Sequence, residues 1–210
     1  MKPPAVVIPY KASGAKSRLA PALSVRDREK LVELMLLDVL RAFSSAGLAG
    51  HCTVVSPDPR ALSLAEGEGA RGVRERSAAG VNAAVREAMS QDPEAQDFMV
   101  VPADLPTLSA KEIKAALALH AAGLEVVMSP SRGFDGTNLL LFGRSAGLPL
   151  SYDADSFWNH VAAAGRLDLS LCVCSARGFM LDIDTPADLA YLRGSRSRGR
   201  AASFVKELLP

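Results

Sequence analysis

Asp182 and Asp184, in the run Leu181-Asp182-Ile183-Asp184-Thr185-Pro186, are spaced for shared chemistry. In an extended strand alternate side chains leave the same face. The spacing therefore predicts two adjacent carboxylates, with Leu181 and Ile183 turned the other way into packing. Paired carboxylates repel unless positive charge lies between them, and hard oxygen donors suit magnesium or manganese. A third acid, Asp104 in Ala103-Asp104-Leu105-Pro106, lies about 80 residues earlier. The three together would hold metal-bound phosphates. Plainer uses stand beside this one. Asp184-Thr185-Pro186 reads as a helix cap followed by proline at the first helical position, and Asp104 before Leu-Pro fits a turn. Asp182, between two apolar residues, has no such local use.

The second chemical feature is the loop at residues 9–19, which carries Lys11, Lys16 and Arg18 and no acid. Backbone N–H groups and cations of this kind cradle a triphosphate, although a solvated basic loop has the same composition. The Gly-Lys-Ser/Thr pattern of a P-loop is absent.

These residues must be carried by elements. Apolar runs predict strands at 6–9, 52–56, 98–102, 125–129, 137–142, 169–174 and 179–184. Helical periodicity follows Ser24, which is placed to cap with Asp27, and continues to the Gly47 region. Further helices are predicted at 80–89, from the capping box of Ser109 and Glu112 to about His120, at 156–165, and from Thr185-Pro186 to about Arg193. Residues 60–77 are weakly patterned. Strands alternating with helices imply an α/β fold with a mostly parallel sheet covered on both faces. Ligands bind such sheets at the carboxyl ends of the strands, where the first loop, Asp104 and Asp184 all fall.

The length, 210 residues, suits one domain over 1–193 followed by a tail at 194–210. Residues 194–202 read as a basic Gly/Ser-rich linker, and 204–209 as a short apolar terminus and candidate homodimer contact. The net charge of +1 gives no global field for nucleic acid or a membrane. The tail arginines lack the interleaved aromatics of a nucleic-acid arm. Three cysteines are too few for a disulfide framework, and no apolar stretch reaches the length of a signal core or a membrane span, so a cytoplasmic protein is expected. His160 lies one helical turn after Ser156, within reach of the same site or simply packed. Trp158 is expected in the core or at an interface, and Tyr10 in buried packing.

Ile8-Pro9-x-Lys11, the run Ala15-Lys16-Ser17-Arg18-Leu19-Ala20-Pro21, Val55-Ser56-Pro57, Ala103-Asp104-Leu105-Pro106, Gly136-Thr137-Asn138, Ser156-Phe157 and Leu181-Asp182-Ile183-Asp184-Thr185-Pro186 occur here in order. In this the chain resembles the 2-phospho-L-lactate guanylyltransferases and their phosphoenolpyruvate-using relatives, from residue 6 to about 192. The resemblance implies a three-layer nucleotidyltransferase fold and transfer of GMP from GTP to a phosphorylated three-carbon acid. It also implies magnesium (or manganese) and a diphosphate-linked guanosine product that is an intermediate of coenzyme F-420 biosynthesis. It implies metal-binding roles for Asp104, Asp182 and Asp184, and acceptor-binding roles for Thr137, Asn138 and Ser156. Asn82 is implied near the guanosine. In such a transfer Lys16 and Arg18 are expected on the leaving pyrophosphate and Lys11 near the α-phosphate as the catalytic groups, and these three with Pro9, Ser56, Pro57, Asn82 and Pro102 as the nucleotide-binding set. Two departures stand out. Where close relatives have a glycine shortly before the Ser-Phe pair, this chain reads Tyr152-Asp153-Ala154-Asp155. The turn Gly133-Phe134-Asp135-Gly136 carries a large aromatic where small residues are typical.

A phosphate monoester acceptor is largely dianionic at neutral pH, its second pKa being about 6, so transfer needs no general base. None is legible in the sequence. Two other functions fit the same residues. One is a nucleotidyltransferase for a molybdopterin or a sugar phosphate, against which the missing Gly-rich first loop counts. The other is a non-catalytic nucleotide-binding protein, which would release no pyrophosphate.

Overall fold

The computed structural model describes residues 2–11, 16–75 and 80–209. The expectation for residues 12–15 of the first loop lies outside them. Strand β1 (Ala5–Pro9) is a short Val/Ile run buried on both faces, as a central parallel strand must be. It pairs in parallel with β2 (Cys52–Ser56) on one side and β4 (Asp97–Val100) on the other. β2 pairs outward with β3 (Arg71–Arg74). Beyond β4 come β6 (Thr137–Gly143), β5 (Val126–Pro130) and β7 (Leu171–Val173), so the order is β3-β2-β1-β4-β6-β5-β7. Among the described strands only β6 runs antiparallel, which brings its first residue, Thr137, to the edge where the parallel strands end.

The pleat sorts the core into two faces. Val6 and Ile8 join a cluster with Leu31, Met35 and Phe43 of α1 (Val25–Ser45), Ile113 of α4 (Ala110–Ala121), Leu189 of α7 (Pro186–Gly194) and Val205 of α8 (Arg200–Leu208). Val7, Phe98 and Val100 face the other way, onto α3 (Val81–Ser90) and α5 (Ser156–Arg166). The result is the three-layer arrangement expected. The predicted caps form: Ser24 accepts from the Asp27 N–H, and Ser109–Glu112 and Thr185–Asp188 make complete capping boxes. No helix among the described residues is long and apolar enough to cross a membrane.

Four expectations need correction. Residues 60–77 include α2 (Pro59–Gly67) and edge strand β3, whose single buried residue, Val73, leaves almost no period to read. Residues 179–184 are not a sheet strand. A four-residue helix, α6 (Arg177–Met180), leads into an extended segment held by the Ile183 N–H donating to the Asp104 carbonyl oxygen at 3.2 Å. The alternation nevertheless survives, with Leu181 and Ile183 buried and Asp182 and Asp184 partly exposed. Finally, residues 200–202 are not linker, and the apolar terminus packs on its own chain. Asp38 of α1 accepts from the N–H groups of Arg200 (2.8 Å) and Ala201 (2.9 Å), which caps α8 from 162 residues away. Ala201, Ala202 and Val205 are fully buried in the main core. Trp158 is 56% exposed, so of the two places expected for it the core is excluded.

Candidate active site

The first loop returns to regular structure through a 3-10 turn, Ser17–Leu19, anchored by fully buried Leu19. Lys16 precedes it in the left-handed region at φ 57°, ψ 40°, a conformation that costs a residue with a Cβ about 1 kcal/mol. The twist turns the side chain inward, leaving it only 9% exposed. Its Nζ donates to Asp104 Oδ2 and Asp184 Oδ1 in two short contacts that bridge 88 and 168 residues of sequence. Burial alone would lower the lysine pKa, but Asp104 and Asp184 more than offset it and hold the ammonium above its usual range.

Asp182 stands beside this pair without touching Lys16. Asn138 Nδ2 donates to its Oδ1 at 3.1 Å. Burial, then the neighbouring charge of Asp104, pushes its carboxyl up to about 6, with Asp184 adding to the rise and the Asn138 bond opposing it. Asp104 Oδ1 is buried with no hydrogen-bond partner. Among the described residues no three His, Cys, Asp or Glu side chains form a ready-made metal cage, and the Lys16 ammonium stands between two of the expected ligands. The donor set still fits a hard divalent cation: all the donors are carboxylate oxygens, one of them orphaned and one acid held against repulsion.

A cleft of about 360 Å³ opens over these acids, lined among others by Arg18, Arg132, Asn138, Asp155, Asp182 and Asp184. Its rim is the turn between β5 and β6. There Ser131 Oγ donates to Asp135 Oδ1 at 2.6 Å, and both oxygens accept from the Gly136 N–H. Arg132 reaches across to Asp188 at 2.9 Å. Arg132 had no expected role, although it directly precedes the unusual turn at Gly133–Gly136. Thr137 and Ser156 meet below the rim, hydroxyl to hydroxyl at 3.1 Å, with fully buried His160 behind them. The two departures noted in the sequence both fall at positive φ: Phe134 at 60° and Asp155 at 55°. Glycine-like backbone is thus kept here without glycine.

A second, mainly apolar cleft at the ends of β1 and β2 is lined by Pro9, Tyr10, Lys11, Pro57, Glu75 and Val81, among others. Pro9, Lys11 and Pro57, expected at the nucleotide, thus line one cleft. Ser56, Asn82 and Pro102 line neither cleft. Ser56 is fully buried and accepts from the Asp58 N–H at 3.0 Å. Asn82 is spent on the rim, accepting from the Tyr152 N–H at 2.8 Å and donating to Asp153 at 3.2 Å. Pro102 is half-buried two residues before Asp104. Glu75 went unnoticed in the sequence because β3, which delivers it, was not legible. A roomier groove of about 630 Å³, lined by Thr107, Glu112, Arg177, Tyr191 and Arg196 among others, gathers none of the predicted site residues.

Comparison with known proteins gives the family and the fold. Residues 4–208 match the family described as "Guanylyl transferase CofC like". A phosphoenolpyruvate guanylyltransferase of Rubrobacter xylanophilus is 38% identical over 90% of this chain and 93% of its own length. A 3-phospho-D-glycerate guanylyltransferase of Phenylobacterium zucineum is also 38% identical, over 93% and 91%. A 2-phospho-L-lactate guanylyltransferase of Methanocaldococcus infernus is 32% identical over 84% and 78%. Among solved structures, a nucleotidyl transferase from Methanothermobacter thermautotrophicus superposes with a TM-score of 0.67 at 17% identity, covering 96% of this chain and 97% of that one. That likeness establishes the nucleotidyltransferase fold. The chain belongs to the CofC-like guanylyl transferase family.

Proposed function

We propose that this enzyme transfers GMP from GTP to the phosphate of a phosphorylated three-carbon acid, using Mg²⁺ or Mn²⁺ held by Asp104, Asp182 and Asp184. The observation that carries it is the meeting of Lys16, Asp104 and Asp184, from three distant parts of the chain, at the carboxyl edge of the sheet. An oxygen of the acceptor phosphate attacks the α-phosphorus of GTP, the bond from that phosphorus to the β-phosphate oxygen breaks, and pyrophosphate leaves. No proton has to be removed, since the attacking oxygen is already ionised. A bound divalent cation supplies charge neutralisation between the two anionic substrates. Lys11 and Arg18, exposed beside the two clefts, and Lys16 once it turns from the carboxylates, meet the triphosphate and the departing pyrophosphate. The apolar cleft takes the nucleoside, and Glu75 offers the carboxylate that the N–H donors of a guanine edge call for. The acceptor sits under Arg18 and Arg132, against Thr137 and Ser156.

The named acceptors of the three relatives are all phosphorylated three-carbon acids, which supports that class here. The product would be a diphosphate-linked guanosine, the intermediate of coenzyme F-420 biosynthesis that the resemblance in sequence implies. The test is a matrix of nucleoside triphosphates against 2-phospholactate, phosphoenolpyruvate and 3-phosphoglycerate with magnesium, scored by pyrophosphate. Release is expected with GTP and at least one of the acids. Release that ignores the acceptor contradicts transfer.

A further inference from the structure

His160 is completely enclosed, yet both ring nitrogens are committed. Its Nε2 lies 3.0 Å from the Ser151 backbone nitrogen, whose N–H donates to it. A backbone N–H can only donate, so Nε2 must be the unprotonated nitrogen. Burial holds the imidazole pKa down to about 4, so the ring is neutral at working pH and carries its one proton on Nδ1. Nδ1 in turn lies 3.0 Å from Thr137 Oγ1 and donates to it. Thr137 Oγ1 is also 3.1 Å from Ser156 Oγ. A count of protons follows. The two hydroxyls hold two hydrogens, and one is used in the bond between them. The other cannot be given to His160, which is itself a donor at that point. Ser156 Oγ donates to Thr137 Oγ1, so the O–H left over is that of Thr137.

We propose that His160 is a positioning residue: fixed in one tautomer by the Ser151 amide, it obliges the Thr137–Ser156 pair to present a hydrogen-bond donor to an anionic oxygen of the acceptor. This rests on the acceptor site proposed above. It makes the pocket selective for acids over the matching amides or alcohols, because an unionised donor group placed there would face a second donor. Ser151 opens the rim segment that runs to Asp155, so the order of the rim and the donor character of the site are linked through one ring.

The test combines kinetics with a spectrum of the unaltered protein. In wild type, imidazole ¹⁵N shifts should show Nδ1 protonated and Nε2 bare; the opposite tautomer overturns the proposal without any variant. His160→Phe should raise the acceptor KM roughly tenfold or more, the effect of losing one bond to a charged group, while GTP KM and kcat move less than about two-fold. His160→Asn, which can replace the Nδ1 donor, should recover most of the loss. In a Thr137→Val background His160→Phe should cost little further. An equal cost in both backgrounds means the ring only supports the fold, and overturns the proposal. If Thr137→Val alone leaves acceptor KM unchanged, the acceptor site itself is misplaced. If Thr137→Val raises it and His160→Phe does not, only the role of His160 fails.

Discussion

Asp182→Asn should make the metal-free protein more stable while abolishing turnover. Burial and the charges of Asp104 and Asp184 raise the Asp182 carboxyl from 3.8 to about 6. Its favourable contribution is therefore intact below about pH 4 and is lost as pH climbs through about 6. Two units correspond to about 3 kcal/mol; partial exposure of the cleft brings the expected gain to about 1–3 kcal/mol at pH 8. Asparagine keeps the Oδ1 that accepts from Asn138 and leaves both Lys16 contacts in place, so the variant isolates charge. In a chain of this size the gain corresponds to a rise in Tm of roughly 3–9 °C. Calorimetry in chelator should show the gap between variant and wild type close to nil near pH 4 and fully open by about pH 8. Added magnesium should narrow it, since the cation stabilises the wild-type carboxylate preferentially. A gap that is absent at pH 8, or the same at every pH, refutes the placing of Asp182 among uncompensated acids.

Lys16→Ala removes the cation between Asp104 and Asp184. It should cost on the order of 2 kcal/mol without metal and weaken GTP binding roughly tenfold or more; an unchanged GTP titration would return Lys16 to a purely structural role. Asp38→Ala should release α8, raising amide hydrogen exchange over residues 200–208 and costing about 2–3 kcal/mol; Gly199→Ala should do likewise, because its Cβ would come within 2.6 Å of Asp38 Oδ2. Unaltered exchange there would show that α8 does not depend on its remote cap. Asp155→Gly should raise stability by about 0.5–1 kcal/mol, since the residue already sits at φ 55°; a loss in a chemical denaturation midpoint would show that the aspartate side chain matters more than its backbone.

What was legible in the sequence followed from local rules. Buried strands, three capping boxes or caps, and the carboxyl-edge placement of Asp104 and Asp184 depend on residues close together. The alternation at Leu181–Asp184 also held, although hydrogen bonding to the Asp104 carbonyl replaced the sheet that alternation implied. Long-range or weakly patterned features were lost. β3 has one buried residue, and Glu75 was lost with it. The tail looked like linker because Gly, Ser and Arg dominate it, while the acid that caps its helix is in α1. His160 was visible as a residue near Ser156, but its tautomer depends on Ser151, which no helical period reveals. Positive charge between the acids was expected, but Lys16, read as a triphosphate contact, is the group that stands between Asp104 and Asp184, and nothing local in the first loop foretold that pairing.

The most direct test is a crystal grown with Mn²⁺, a non-hydrolysable GTP analogue and a three-carbon phospho acid, examined by anomalous scattering. A manganese peak in contact with oxygens of Asp104, Asp182 and Asp184, with the Lys16 ammonium moved onto triphosphate oxygens, is the expected result. A peak bound elsewhere, or Lys16 still clasped by both carboxylates with nucleotide present, would contradict it.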